Sequence, residues 1–383
     1  MLGRWLRQRP GPGSRCPVAD HSREIAGPPA HAPLNSPADG GDVPRMHLLV
    51  DPGLIRAVLN HPACAAIDLC DLIRQRAHRH GFDAAPLIRF FQPNPIVLAG
   101  EAHRAARARY LEHYREIRQW LRERLPGLAN RHFAELISNR PPGGVAALLA
   151  RGFVDRVLCE VFSSEYPGLV PLYDLLAQRR EQLFGYLHHP VALADLSRDL
   201  GRAYDRAEEQ IGAARFSLVL AYVLQGRDPL IGALGGFSQT LLAARGADRD
   251  LLLRTVEPPD LFESTTPVNY IARIATGKIL LPTRPQIEAG DLLILATAWA
   301  AAKPAPTAAD RLACGAGAHQ RAGRALALEI AGAWLGGLRE AAAAIDWSGL
   351  RPERLSGSVF VAWDLLKPPH QEALDGPARS VPR

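Results

Sequence analysis

The chain has 383 residues and carries 45 basic against 39 acidic side chains, a formal charge of +6, so it can form one large domain or two ordinary ones. Hydrophobic residues at 47% and charged ones at 22% exclude an intrinsically disordered chain. The positive charge is almost all arginine, with Lys278, Lys303 and Lys367 the only lysines, and no basic run interleaved with aromatics occurs, which argues against a nucleic-acid binder.

Residues 1–45 are rich in Pro, Gly, Ser and Asp without a hydrophobic period and are expected to form a loose arm. Met1 to Arg15 is arginine-rich but broken by Pro10 and Pro12, and lacks the apolar core of a signal peptide. The pattern changes at Leu48. Asp51-Pro52 followed by Leu54, Ile55, Val58 and Leu59 predicts a capped amphipathic helix that stops at Pro62. Residues 101–124 place seven arginines beside leucines and tyrosines at helical spacing. Helices are also predicted over Val145–Phe162, Leu172–Leu187 and Leu193–Ala214. Residues 217–244 read as one long buried helix. After Pro267 short strand-like pieces follow (Ile271–Ala275, Ile279–Leu281, Leu292–Ala296), punctuated by Gly277, Pro282, Pro285 and Gly290. A helix over Gly323–Leu338 and a last strand over Ser358–Trp363 complete a fold that is mostly α with a small β part, read as a single domain over 46–370 with a flexible tail at 371–383.

Five cysteines (Cys16, Cys64, Cys70, Cys159, Cys314) lie far apart without any CxxC, which fits neither a disulfide framework nor a zinc site. The longest apolar run, Leu292 to Ala302, is about half a membrane span. These features together predict a soluble cytoplasmic protein that engages no membrane.

The segment Cys314-Gly315-Ala316-Gly317-Ala318-His319-Gln320-Arg321-Ala322-Gly323, followed by Leu326-Ala327 on a helix, resembles the haem-ligand loop of bacterial cytochromes P450, Phe-Gly-x-Gly-x-His-x-Cys-x-Gly and then Leu-Ala. Other matches keep the family's order: His103-x-x-x-Arg107 after Gly100-Glu101, Gly226-x-Asp228 in the long helix, Pro267-Val268 with Arg273, Gly277 and Ile287-x-x-Gly290-Asp291, and Arg354, Gly357 and Val361 near the end. The resemblance covers residues 45–370 and implies a P450-like fold. It further implies that His103, Arg107, Arg273 and His319 stand where the family pairs with haem propionates.

The departures fall on the family's chemistry. The position of the thiolate ligand is Arg321, a permanent cation with no lone pair to give, whereas the iron needs a soft anionic donor. Cys314 occupies the family's Phe position and is expected to fill core space. The helix threonine that serves oxygen activation becomes Pro229, beside Asp228, and the Glu-x-x-Arg pair becomes Asp260 and Glu263. The helical acid after Leu326-Ala327 falls one residue early, at Glu329.

Three functions follow as expectations. The first is a P450-fold protein that has lost thiolate–haem monooxygenase chemistry, carries no cofactor, and acts by binding a protein partner, a biosynthetic enzyme of a bacterial secondary-metabolite pathway, with a small hydrophobic ligand also open. The second retains haem with a ligand other than cysteine, as an oxidoreductase. The third is a haem-free enzyme that uses the emptied pocket, with Asp228, Asp260 or Glu263 as acid–base groups.

Overall fold

The computed structural model describes residues 45–139, 141, 143–165, 167–176, 190–211, 221–265, 268, 270–281, 286–297, 300, 312–317 and 320–352. The predicted arm apart from Arg45, the strand over Ser358–Trp363 and the tail lie outside them. In chain order come β1 (Met46–Leu49), α1 (Pro52–Leu59), β2 (Cys64–Ala65), α2 (Leu69–His80), α3 (Ala85–Phe91), α4 (Gly100–Arg122), α5 (Leu125–Asn139) and β3 (Gly143–Gly144). A π-helical turn (Ala147–Arg151) runs into α6 (Gly152–Glu165), and α7 (Pro190–Ile211) follows. A second π-helical turn (Ala221–Arg227) runs into α8 (Asp228–Ala243), then α9 (Ala247–Thr255), α10 (Pro258–Thr265), β4 (Ile271–Ala275), β5 (Leu292–Leu295), α11 (Arg324–Ala341) and β6 (Leu350–Arg351).

Local chemistry sets these elements. The Asp51 carboxylate accepts the Leu54 N–H at 3.0 Å and Pro52 takes the first turn of α1, where its missing N–H costs nothing. Four strands form a sheet in the order β1-β5-β4-β2, parallel between β1 and β5 and antiparallel elsewhere. Strand β1 has four residues, too few to show a period, and its partner lies some 246 residues away; sequence reading missed it. Asp291, 4% exposed, locks the junction by accepting the Arg45 N–H at 3.1 Å, the Glu288 N–H at 2.8 Å and the His47 ring at 2.8 Å. Burial alone would raise that carboxyl; the three partners outweigh it and hold the pKa below the usual range.

Two apolar cores result. The larger joins helices from α2 to α11 through residues such as Phe90, Phe133, Phe153, Phe237 and Trp334. The smaller packs Ile55, Val58 and Leu59 of α1 under Leu49, Leu293 and Leu295 of the sheet. Helices α5 and α11 approach closely at Gly337, where a Cβ would stand 2.9 Å from that of Ala129.

Both long helices predicted over Val145–Phe162 and 217–244 contain a π turn. In the first, the Leu149 carbonyl accepts the Trp334 indole N–H at 2.6 Å, and Gly152 admits the His132 ring, whose Cε1 would lie 3.1 Å from a Cβ there. In the second, Pro229 has no N–H for the Gln225 carbonyl four residues back, so the ladder widens just before it.

His132 is 7% exposed and sits between Phe133 and Phe153. Burial and the nearby Arg156 push its imidazole down to about 4, against the opposing Leu149 and Leu148 carbonyls and Glu135. The unfolded chain therefore binds a proton between pH 6.5 and about 4 that the folded chain refuses. Stability is full above that window and falls by about 3 kcal/mol as pH drops through it. Urea denaturation across that range is expected to show the loss, and His132→Phe to flatten it.

Candidate functional site

The segment Leu312–Gly317 and Gln320–Gly323 runs along the seam between the two cores: Leu312 packs in the sheet cluster and Ala313 in the helical one. Gly315 and Gly317 turn it with φ of +73° and +72°, a region where glycine pays no Cβ penalty. Gly317 has a second reason: a Cβ there would stand 2.5 Å from the Leu59 carbonyl oxygen. The Gln320 N–H returns to the Gly317 carbonyl at 3.0 Å and the Arg321 N–H to that of Cys314 at 3.1 Å. The loop is thus closed on itself before α11 begins.

A group of cations flanks it. Arg107 on α4 donates from Nη1 to the Gln320 carbonyl. His103, one turn earlier, is 4% exposed; burial and the charges of Arg107, Arg104 and Arg273 hold its imidazole below the ordinary value. Arg273 reaches this group from β4, with Nη1 on the Ala272 carbonyl at 2.8 Å. The structure therefore bonds Arg107 to the loop, with His103 one turn away on α4 and within the electrostatic reach of Arg273, while His319 lies outside the described residues.

Inside the loop, burial lowers the Arg321 pKa, partly opposed by Cys314. The Cys314 thiol is raised by burial; the charges of Arg321 and Arg324 act against this, and Glu263 adds to the rise. Glu263 of α10 accepts the Ala313 N–H at 3.3 Å, so this acid holds the loop from below. Asp260 has a different task. Its Oδ2 accepts the Glu257 N–H at 3.2 Å, the back-reaching half of a capping box at the start of α10.

Asp228 and Pro229 stand at the second π turn. Asp228 Oδ1 accepts from Arg227 at 3.0 Å, and Arg227, 3% exposed, forms a two-point pair with Asp155 of α6 at 2.6 and 2.9 Å. Burial lowers the Arg227 pKa, and its two carboxylates more than reverse this. Two further bonds pin the turn: Tyr222 Oη to His113 Nε2 at 2.8 Å, and Gln225 Nε2 to Asn94 Oδ1 at 2.8 Å. Sequence reading missed Asp155, His113 and Asn94, since no local pattern links residues 72 to 131 positions apart. Glu329 of α11 meets Arg118 at 2.7 Å and Arg122 at 2.9 Å, tying that helix to α4.

No family model matches the sequence, and no curated protein does. Solved structures do. Mycinamicin VIII C21 methyl hydroxylase MycCI from Micromonospora griseorubida, bound to mycinamicin VIII, is 19% identical with a TM-score of 0.55 over 86% of this chain and 90% of its own. The tirandamycin C-bound P450 monooxygenase TamI is 19% identical, TM-score 0.55, over 78% and 82%. P450BioI, in complex with acyl carrier protein ligated to hexadec-9Z-enoic acid, is 13% identical, TM-score 0.58, over 85% and 90%. The chain has the cytochrome P450 fold. Within the P450 fold, α4 and α11 flank the glycine-turned loop, and the π-turned helix runs into α8. Among the described residues no helix is long and apolar enough to cross a membrane.

Gly317→Ala tests the seam directly. Positive φ and the clash with the Leu59 backbone act together, so a loss of about 2–4 kcal/mol in denaturant unfolding is expected.

Proposed function

We propose that this P450-fold chain has lost thiolate–haem monooxygenase chemistry and serves a bacterial secondary-metabolite pathway as an auxiliary protein that binds a biosynthetic enzyme. The observation that carries this reading is Arg321: a half-buried guanidinium stands where the resemblance implies the ligand sulfur. A thiolate is an anionic donor, and guanidinium is its electrostatic opposite. Cys314, the nearby sulfur, fits the ligand role poorly, because burial, with Glu263, favours its protonated form over the opposing charges of Arg321 and Arg324. Neither Arg321 nor Cys314 thus offers the thiolate that such a haem would need.

Oxygen-activation roles are also given up on this reading: Pro229 has no hydroxyl, and Asp228 pairs with Arg227. The pathway context is supported by MycCI and TamI, whose ligands are mycinamicin VIII and tirandamycin C. A protein partner is supported by P450BioI, seen with an acyl carrier protein. The first site readings become structural here: Glu263 holds the loop, and Asp260 caps its helix.

A second reading, retained haem with a ligand other than cysteine, is favoured by one observation: Arg107 bonds the loop and both its charge and that of Arg273 act on His103, the residues that the resemblance implies as propionate partners.

The absorption spectrum of the purified protein separates the two. A colourless protein is expected, with no thiolate-type band when reduced under carbon monoxide. A Soret band in the isolated protein defeats the cofactor-free reading; a thiolate-type band restores monooxygenase ligation and points to Cys314. With Arg321→Cys, added haemin is expected to give a thiolate–haem spectrum if only the ligand is missing.

A further inference from the structure

A buried phenol gives up an electron readily only if its proton leaves with it, because the radical cation would otherwise sit unsolvated in the core. The proton then needs a base already within hydrogen-bond reach, about 2.6–3.2 Å away. Tyr222 of the second π turn is 3% exposed, and its Oη lies 2.8 Å from Nε2 of His113 on α4. With the ring proton of neutral His113 on Nδ1, Tyr222 donates and Nε2 accepts. An imidazole nitrogen takes up a proton near neutral pH, which a carbonyl acceptor does not. His113 is half-buried, so the imidazolium that forms keeps contact with water. Tyr173 is placed less well: it donates to Asp155 Oδ1 at 3.3 Å, and Arg227 already engages that carboxylate twice.

Tyr222 also sits mid-way along a chain of touching rings. Tyr110 meets Tyr114 with centroids 6.1 Å apart, and Tyr114 meets Tyr222 at 5.5 Å. Tyr222 then meets Phe162 at 5.7 Å, and Phe162 stacks on Tyr173 at 4.8 Å. The chain crosses from α4 through the π turn to α6. None of these four tyrosines is more than 8% exposed, so an oxidant in solvent reaches Tyr222 through neighbouring rings and not by contact. Core packing explains why the rings touch. It does not call for a histidine opposite a phenol, since two apolar groups of the same shape would serve stability about as well.

We propose that Tyr222 and His113 form a proton-coupled redox pair, oxidised one electron at a time by a high-potential, metal-centred oxidant outside the pair. The oxidant gains the electron and the Tyr222 O–H bond breaks. The proton forms an N–H bond at His113 Nε2, leaving a neutral phenoxyl radical beside an imidazolium. Reduction returns the electron to Tyr222 and the proton to its oxygen. The pair depends on neither reading of the loop, because the oxidant comes from outside.

The test uses the full chain at pH 7.5 with photogenerated tris(bipyridine)ruthenium(III), following the phenoxyl radical by transient absorption and by electron paramagnetic resonance. A long-lived radical is expected, and Tyr222→Phe should remove most of it. His113→Gln keeps an acceptor for the phenol but no base, and should slow radical formation about tenfold. Thermal unfolding of both variants checks that they fold. In the native protein, exchange into heavy water should slow radical formation about twofold, because the proton moves with the electron; this arm stands even if both variants fail to fold. The proposal is overturned if folded Tyr222→Phe gives the native radical yield or if folded His113→Gln forms the radical at the native rate. It is overturned equally if heavy water leaves the native rate unchanged.

Discussion

The backbone of Gly317 lies so close to the Leu59 carbonyl that no side chain fits between them, and the placement of the site depends on that approach. It fastens the loop to the end of α1, and so to the sheet core. From the helical side, Glu263 accepts the Ala313 N–H and Arg107 donates to the Gln320 carbonyl. Three elements distant in sequence thereby fix one short segment, which carries Cys314 and Arg321 at the mouth of α11. The orientation of those two side chains is therefore a property of the whole fold.

Charge is distributed unevenly around this segment. Towards the C-terminal end of α4, Glu329 takes Arg118 and Arg122, and at the second π turn Asp155 and Asp228 take Arg227. These pairs knit helices together: α4 to α11, and α6 to the long helix. Arg107 and Arg273 instead meet main-chain carbonyls. Folding alone does not require charges there, since an apolar side chain of similar volume would be no less stable in such a place.

Most helices were legible because their burial follows a 3.6-residue period: α1, α4, α7 and α11 lie within a few residues of where apolar spacing and caps put them. The strands over Ile271–Ala275 and Leu292–Leu295 were legible as short pieces punctuated by glycines and prolines. Strand β1 was not, because its stability comes from a distant partner. Nor were the π turns, which arise where Trp334 needs the Leu149 carbonyl and where Pro229 withholds an N–H. In the site, the spacing of Gly315 and Gly317 foretold the loop, and His103 with Arg107 foretold one side of it. The roles of Asp260 and Glu263 were illegible: as letters they are two acids in place of an ion pair. Only the structure shows one capping its helix and the other receiving an amide.

On the proposed reading, local partners are what let the chain stay folded without a cofactor. An acid in place of the arginine at 263 would leave a charge without a partner unless some donor met it, and the Ala313 amide does. A proline at 229 would break a helix, but the preceding turn is already wide, and Tyr222, Gln225 and Arg227 each anchor it to a neighbouring segment. Each departure is compensated within a few ångströms by groups that do not depend on Arg321. On the proposed reading, restoring a sulfur at 321 would therefore restore at most a ligand. Pro229 has no hydroxyl and Asp228 is engaged with Arg227, so neither residue could relay protons as the family's helix threonine and acid do. Spectral recovery without turnover is what this division of labour implies.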